Sequence, residues 1–206
     1  GKRLEGVSVA WNQRRSHFHR FQRRGEMNVI GICGTPRENG NTKILLESAM
    51  EASGETFELV ELAKTEIKPC NACMDCQKGR ACPIEDGMKP LYQKLANADI
   101  VFVATPTYFS APTAQTKAFM DRCLPFYFDR KLAGKVGASF IIASSDGQEH
   151  NSAALREFFD QLGMLYAGSA HAKASEPRDV KRDLKVLREA AELAVKAKEL
   201  RTLTKR

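Results

Sequence analysis

Residues 28–42, NVIGICGTPRENGNT, combine a short apolar run, a polar loop and the start of a helical pattern. The run NVIGIC stops at Gly34, and a short apolar run bounded by a turn signal is typical of a strand buried in a parallel sheet. After the loop, apolar residues recur at helical spacing at Leu45, Ala49 and Ala52. The stretch therefore predicts a strand–loop–helix unit, which is the repeating unit of α/β folds.

The same alternation of strand and helix continues along the chain. Four more apolar runs predict strands: TFELVEL at 56–62, DIVFVATP at 99–106, KVGASFIIAS at 135–144 and MLYAGSAHA at 164–172. Helical patterns lie between and after them, from Asp86 as a cap to about Asn97, from Thr113 to Arg122, from Asn151 to Leu162, and over 179–203. Five apolar strands separated by helices predict a doubly wound parallel sheet in three layers, with strand order 2-1-3-4-5. Its ligand crevice is expected beyond the carboxyl ends of strands one and three.

Three loops leave the sheet at that crevice. The first, 35–42, is rich in Gly, Asn and Thr and can offer N–H groups and hydroxyls to a phosphate, with Arg37 and Lys43 adding charge. It has neither P-loop nor dinucleotide-fingerprint spacing, so an ordinary capped turn is an equal alternative. The second, 105–112, carries two prolines and an aromatic pair that could line a planar ring or pack on its own helix. The third, 144–150, is polar.

A cysteine motif occupies the connection after the second strand. The stretch IKPCNACMDCQKGRACPIEDGM has the spacing C-x2-C-x2-C-x5-C, formed by Cys70, Cys73, Cys76 and Cys82. The first three repeat the C-x2-C-x2-C run of bacterial-type ferredoxins, and a proline follows the fourth as it does there. Because no second set of cysteines exists, the fourth is expected to complete the same [4Fe–4S] cluster.

Two other interpretations of these cysteines are open. Structural zinc also uses four cysteines, usually as two C-x2-C pairs with a longer connection. Here two pairs share Cys73, which would crowd a tetrahedral zinc site. Disulfides are disfavoured because no secretory hydrophobic region is present and cytosolic thiols are kept reduced. Cys33 and Cys123 stand alone on apolar stretches, so we expect them to be buried packing residues.

Composition limits the remaining possibilities. The 206 residues carry a net charge of +7, but the basic excess belongs to the two ends. Residues 1–26 have seven basic and two acidic side chains, residues 176–206 have ten and six, and the part between has fifteen and seventeen. We interpret 1–26 as a basic extension, either an arm or an upstream remnant, ahead of one domain at 27–206 with its cysteine loop at 68–86. No nucleic-acid motif and no run of eighteen apolar residues is present, so we predict a cytoplasmic protein without nucleic-acid or membrane partners.

Taken together, the motifs resemble a known family. GICGTPRENGNT, the cysteine motif, TPTYFSAPTAQTKAFMDR and SSDGQE occur in the order found in the iron–sulfur flavoproteins, a group within the flavodoxin-like NAD(P)H-dependent FMN reductase superfamily. The resemblance runs from about Asn28 to about Gly168. It implies a flavodoxin-like fold, FMN and one [4Fe–4S] cluster per subunit, and a homodimer or homotetramer that brings clusters and flavins of neighbouring subunits close.

The resemblance also assigns individual residues. Those similar to the FMN phosphate loop are Thr35, Arg37, Asn39, Asn41 and Thr42. Those similar to the segment beside the ribityl chain and isoalloxazine are Pro106, Thr107, Tyr108 and Phe109, and those similar to the loop at the pyrimidine side are Ser145, Gly147 and Gln148. The cluster ligands correspond to Cys70, Cys73, Cys76 and Cys82. One departure is Glu38, an acid inside the phosphate loop, so we expect phosphate contacts through neighbouring N–H groups.

The functional hypothesis is a redox protein that changes electron number, with the chemistry carried by cofactors and no catalytic side chain. The resemblance implies a ferredoxin-like donor, with oxygen or peroxide as one possible acceptor. Lys68, Lys78 and Arg80 are expected to stabilise the more negative reduced cluster. The alternatives are an NAD(P)H-dependent FMN or quinone reductase and a zinc-stapled binding module.

Overall fold

The computed structural model of the protein describes residues 27–205, so the predicted basic extension at 1–26 lies outside the described residues. The strands are β1 (Asn28–Cys33), β2 (Thr56–Glu61), β3 (Ile100–Tyr108), β4 (Ala111–Pro112), β5 (Val136–Ala143) and β6 (Leu165–Lys173). The helices are α1 (Asn41–Ala52), α2 (Met88–Asn97), α3 (Ala114–Arg122), α4 (Leu124–Asp129), α5 (Gln148–Gln161) and α6 (Leu184–Thr204). Short 3-10 turns cover Leu62–Lys64, Cys76–Lys78 and Asp179–Arg182.

The central sheet has the order β2-β1-β3-β5-β6, and each of these neighbouring pairs is parallel. This confirms the doubly wound sheet and the predicted order 2-1-3-4-5 for the five long strands. The count of five was incomplete, because β4 pairs antiparallel with the end of β3. After Pro106 the chain leaves the parallel sheet and folds back as a short two-stranded ribbon. Pro112 is tolerated there because β4 is an edge strand, where a missing N–H donor breaks no ladder on the outer side.

Two apolar layers, one on each face of the sheet, make the core. Leu45, Leu46 and Met50 of α1 and the buried face of α6 pack on one face. On the other face lie α2, α3, α4 and α5, with Leu95, Phe119 and Phe159 among their buried side chains. The central strands β1, β3 and β5 are buried on both faces, which explains their continuous apolar runs and confirms the three-layer arrangement.

Several helix details differ from the sequence prediction. The helix α4 was not predicted, and α5 begins at Gln148, three residues before the predicted start. The last helix begins at Leu184, five residues after the predicted start at 179, and Leu184 is 72% exposed. Asp183 caps that helix by accepting a hydrogen bond from Val186 N–H, so Leu184 sits in the first turn, outside the buried face. No helix within residues 27–205 has the length and apolar character needed to span a bilayer.

Candidate functional site

Gly34, the residue after β1, packs closely against both β3 and α3. Gly34 N–H donates to the Ala104 carbonyl at 2.7 Å, and a Cβ at Gly34 would lie 1.8 Å from Thr116 Oγ1. Thr113 Oγ1 donates to the Gly34 carbonyl at 2.7 Å. The absence of a side chain at Gly34 therefore lets the start of α3 pack against the end of β1.

Three fully buried threonines continue this contact. Thr113 N–H donates to Thr105 Oγ1 at 3.2 Å, and Thr116 Oγ1 donates to the same oxygen at 3.1 Å. The hydroxyls of Thr113 and Thr116 are 2.9 Å apart. Buried hydroxyls are stable only when paired, so this network fixes where the loops after β1 and β3 begin.

The first loop lies at the start of α1, as predicted for a phosphate loop. Thr35 Oγ1 accepts from Arg37 N–H at 3.2 Å, and no side chain caps the helix at Gly40. Thr35 and Thr42 are buried, whereas Arg37 and Asn39 are exposed. An uncapped helix start with hydroxyls beside it can receive an anion.

Two polar residues of this unit have partners elsewhere. Asn41 donates from Nδ2 to the Glu176 carbonyl at 2.8 Å and accepts at Oδ1 from Val180 N–H at 3.3 Å. Its amide thus holds the β6–α6 connection against α1. Lys43 Nζ is 2.9 Å from Glu61 Oε2 in a largely buried ion pair, so its charge is already paired. The assignment of Asn41 to phosphate binding stays a prediction.

Glu38, the acid in the first loop, also has a partner. Glu38 Oε1 is 3.3 Å from Lys64 Nζ, and the same ammonium lies 3.0 Å from Glu61 Oε1. Burial raises the pKa of Glu61, but the hydrogen bonds from Lys43 and Lys64 outweigh it and hold that pKa below its usual value. The acids at this end of the sheet are therefore balanced by two lysines.

The second loop is a tight hairpin. Phe109 and Ser110 form its tip, with φ values of 51° and 59°, in the left-handed region that residues other than glycine rarely adopt. The Phe109 side chain is fully exposed. A Cβ at Gly147, whose φ is 92°, would lie 2.6 Å from Ser110 Oγ, so the hairpin tip rests on the third loop. The structure thus brings together the second and third loops named by the sequence.

The helix that follows the third loop, α5, contributes a residue that the sequence prediction missed. Asn151 is fully buried in the first turn of α5, and its Nδ2 donates to Thr107 Oγ1 at 3.1 Å. Its Oδ1 and the Oε1 of Gln148 are buried without a hydrogen-bond partner among the described residues. Ser145 is exposed beside them. The sequence pattern places Asn151 only at the predicted start of the helix. Because α5 begins three residues earlier, at Gln148, Asn151 lies inside the first turn, where its amide is buried.

The cysteine loop forms a separate site. It connects β2 to α2, and Cys70, Cys73, Cys76 and Cys82 all line one cavity together with Tyr92, Arg122 and the α4 residues Leu124 and Pro125. Cys70 and Cys73 are exposed, and the other two are half-buried. Ala72 and Met74 have φ values of 55° and 59°, whereas Asp75 has −66°. Alternation of right- and left-handed backbone turns N–H groups toward a common concavity, which is a known way of holding anions and iron–sulfur clusters.

A buried ion pair ties both ends of this loop to α3. Arg122 Nη1 lies 2.5 Å from Asp86 Oδ2 and 2.9 Å from the Lys68 carbonyl, while Nη2 lies 3.2 Å from Asp86 Oδ1. Asp86 also accepts from the N–H groups of Lys68 at 2.8 Å and Met88 at 2.9 Å. Asp86 thus binds the start of α2 as predicted for a cap, although Gly87 holds the cap position. The sequence prediction missed its partner.

The charges of this pair are strongly stabilised. Burial raises the pKa of Asp86, but Arg122 and the two N–H groups outweigh it and keep that pKa below its usual value. Burial and a hydrogen bond with Cys82 raise the pKa of Tyr92, whose hydroxyl donates to the Arg122 carbonyl at 2.8 Å. Burial likewise raises the pKa of the Cys76 thiol. The predicted tuning residue Arg80 pairs with Asp75, so part of its charge is already compensated.

The donor types suit an iron–sulfur cluster, because four cysteines line one cavity with the buried Arg122 beside them, although their thiols are not gathered as metal ligands in this structure. Within residues 27–205, no three His, Cys, Asp or Glu side chains form a group ready to hold a metal ion.

Cys33 and Cys123 are buried in the core as predicted, and burial raises the pKa of Cys33 to about 11.

The two sites lie at opposite ends of α3. Its start, at Thr113, contacts the end of β1, whereas its last residue, Arg122, lines the thiol cavity. Nine helical residues span about 13 Å at about 1.5 Å per residue. No residue of the three sheet-edge loops lines the cavity.

Comparison with known proteins agrees with the doubly wound fold. The family model described as NADPH-dependent FMN reductase matches residues 27–179. An iron–sulfur flavoprotein of Methanocaldococcus jannaschii is 34% identical over 195 residues, covering 87% of this chain and all of the relative. Among solved structures, RosB with a bound 8-demethyl-8-formylriboflavin-5′-phosphate has a TM-score of 0.72 at 17% identity, covering 87% of this chain and 80% of that one. A flavodoxin from the domain Archaea has a TM-score of 0.53 at 16% identity, covering 87% and 99%.

Proposed function

This chain belongs to the NADPH-dependent FMN reductase family, as one of its iron–sulfur flavoproteins and hence a flavin-dependent oxidoreductase, and from that premise we propose a specific electron path. The protein passes electrons between a ferredoxin-like one-electron donor and a small acceptor such as oxygen or peroxide, through a [4Fe–4S] cluster and FMN. A flavin accepts two electrons together or one at a time, whereas a cluster passes one, so the pair converts between the two modes.

The observation that carries this proposal is the thiol cavity. Four cysteines of one loop, and none from elsewhere in the described residues, line a single cavity at the surface. Because Cys70 and Cys73 are exposed, a donor protein can approach the sulfurs closely. A flavin reductase without a cluster has no need for this arrangement.

The residues proposed to hold FMN are those of the three sheet-edge loops. The uncapped start of α1, with Thr35, Thr42 and the exposed Arg37, would hold the phosphate. The hairpin from Pro106 to Phe109 and the residues around Gly147 would flank the ring. The buried acceptors of Gln148 and Asn151 would receive hydrogen bonds from a bound ligand, since nothing in the described residues satisfies them.

We further propose that the protein works as a homodimer or homotetramer. Within one chain the flavin loops and the thiol cavity contact opposite ends of α3, about 13 Å apart along its axis. A neighbouring subunit could bring its own cavity closer to the flavin. Sedimentation of the anaerobic protein tests this, and a monomer at working concentration would contradict it.

The decisive experiment is an analysis of anaerobically prepared protein for iron, acid-labile sulfide, zinc and flavin. We expect about four irons and four sulfides per chain with one FMN. Protein that contains one zinc and no sulfide would refute the cluster. The binding-module alternative is not kept, because the family is one of oxidoreductases.

A second candidate follows from the family's description as NADPH-dependent. In it, the protein is an NAD(P)H-dependent FMN or quinone reductase, and the metal only braces the loop. Anaerobic mixing with NADPH distinguishes the two. Rapid bleaching of the flavin supports the reductase, whereas bleaching only with a reduced ferredoxin supports the proposed path.

A further inference from the structure

The guanidinium of Arg122 has one donor that nothing in the described residues uses. Its side chain is 1% exposed and lines the thiol cavity with all four cysteines of the motif. The terminal nitrogens bind Asp86, the Lys68 carbonyl and, at 3.5 Å, the Ile84 carbonyl. The Nε–H is buried without a partner.

A buried charged donor without an acceptor is costly, and such groups in native proteins call for an explanation, for instance a ligand. The cavity supplies the chemistry, because thiolate and sulfide sulfurs are negatively charged acceptors. Tyr92 lines the same cavity, and its hydroxyl donates to the Arg122 carbonyl at 2.8 Å.

We propose that Arg122 is a positioning residue of the cysteine site: its terminal nitrogens hold both ends of the loop through Asp86, and its Nε–H donates a hydrogen bond to a sulfur in the cavity. This rests on the proposed function, since it requires a sulfur-containing cluster there. A hydrogen bond to sulfur from a buried cation stabilises the more negative reduced state and raises the reduction potential.

An arginine is needed for both tasks. Its planar fork presents donors in fixed directions, so two nitrogens can bind a carboxylate while the third points elsewhere. A lysine keeps the charge but has no fork and no separate Nε–H. Arg80, which lies in the cysteine loop itself and pairs with Asp75 at the surface, offers a matched control.

The test begins with wild-type protein grown on ¹⁵N-arginine and prepared anaerobically. After reduction of the cluster, hyperfine spectroscopy should show a weak coupling to one ¹⁵N nucleus, unchanged in labelled Arg80→Lys. A loaded cluster without that coupling, or a coupling lost in Arg80→Lys, would overturn the role of Arg122. Protein with no iron and sulfide would overturn the proposed function as well, so the two failures are distinguished by the metal analysis.

The variant Arg122→Lys gives the second measurement. We expect its cluster to have a more negative midpoint potential than the wild type. Arg80→Lys should keep the wild-type value, because it preserves the surface charge through which Arg80 is expected to act. In cluster-free protein, amide exchange over 68–86 should be faster in Arg122→Lys than in Arg80→Lys, which checks the positioning role without a cluster. Equal potentials and equal exchange in the two variants would refute the proposal. If Arg122→Lys does not load, the labelled wild-type spectrum alone decides.

Discussion

The flavin edge and the cysteine cavity are built in different ways on one chain. The flavin edge, our name for the proposed FMN site at loops 35–42, 105–112 and 144–150, lies where neighbouring parallel strands end. Its loops are tied by the close approach at Gly34 and by the buried hydroxyls of Thr105, Thr113 and Thr116. The cysteine cavity is formed by a long irregular connection held chiefly by Asp86 and Arg122. Many contacts fix the positions of the loops at the strand ends, whereas only a few contacts fix the position of the cysteine loop. The cavity should therefore be more sensitive to a single substitution.

The strongest test of this difference is Asp86→Ala. Removal of the carboxylate leaves Arg122 buried and unpaired, which typically costs about 3–5 kcal/mol. Urea unfolding of the cluster-free protein measures the loss. In the double variant Asp86→Leu/Arg122→Met, which removes both charges, we expect most of the stability to return. A loss below about 1 kcal/mol in Asp86→Ala would show that the pair is not the main tie of the loop.

The corresponding break in the flavin edge is Gly34→Ala. The new Cβ would lie 1.8 Å from Thr116 Oγ1 and 3.2 Å from the Ala104 carbonyl, so β1 and α3 must separate. Overpacking of this kind typically costs about 1–3 kcal/mol. Urea unfolding gives the stability and fluorescence titration the loss of FMN affinity. Amide exchange over 68–86 should stay at the wild-type rate, and a faster rate there would mean that the two sites are not independently held.

Alkaline pH probes the core beneath the flavin edge. Burial raises the pKa of Cys33 from its ordinary value of 9.0 to about 11, so the folded state keeps this thiol neutral where the unfolded chain ionises it. Stability from this group is complete below pH 9 and is lost as the pH rises toward 11, by about 2 kcal/mol. The stability difference between wild type and Cys33→Ala should therefore shrink by that amount over this interval.

The smallest expected effect concerns the hairpin tip. Phe109→Gly relieves a left-handed conformation at a side chain that is fully exposed, and should stabilise the flavin-free protein by about 0.5–1 kcal/mol. If Phe109 flanks the ring, as the family resemblance implies, the same variant should bind FMN more weakly. Ser110→Gly is the matched control, because it relieves a similar strain without loss of an aromatic surface. Equal FMN affinity in the two variants would argue against the contact.

Much of the fold followed from local patterns. Strands buried on both faces need continuous apolar runs, so β1, β3 and β5 were recognisable without their neighbours. The four clustered thiols of the motif were also identifiable, because a loop of thirteen residues can place them together whatever the rest of the chain does. Even Cys33 and Cys123 were correctly separated from them by their apolar surroundings.

The contacts that shape the two sites were decided only by tertiary structure. Arg122 and Asp86 are 36 residues apart, and Asn41 meets Glu176 across 135 residues. No local pattern states that an arginine at the end of one helix will pair with the carboxylate before another, or that an asparagine in a polar loop will hold a distant segment. Whether a segment forms a strand depends on its own residues and on the hydrophobic effect, so the sequence alone determined the scaffold and the cysteine motif. Which polar side chains pair depends on the path of the whole chain. The hydrogen-bond partners of Arg122 and Asn41 were therefore decided only by the tertiary structure.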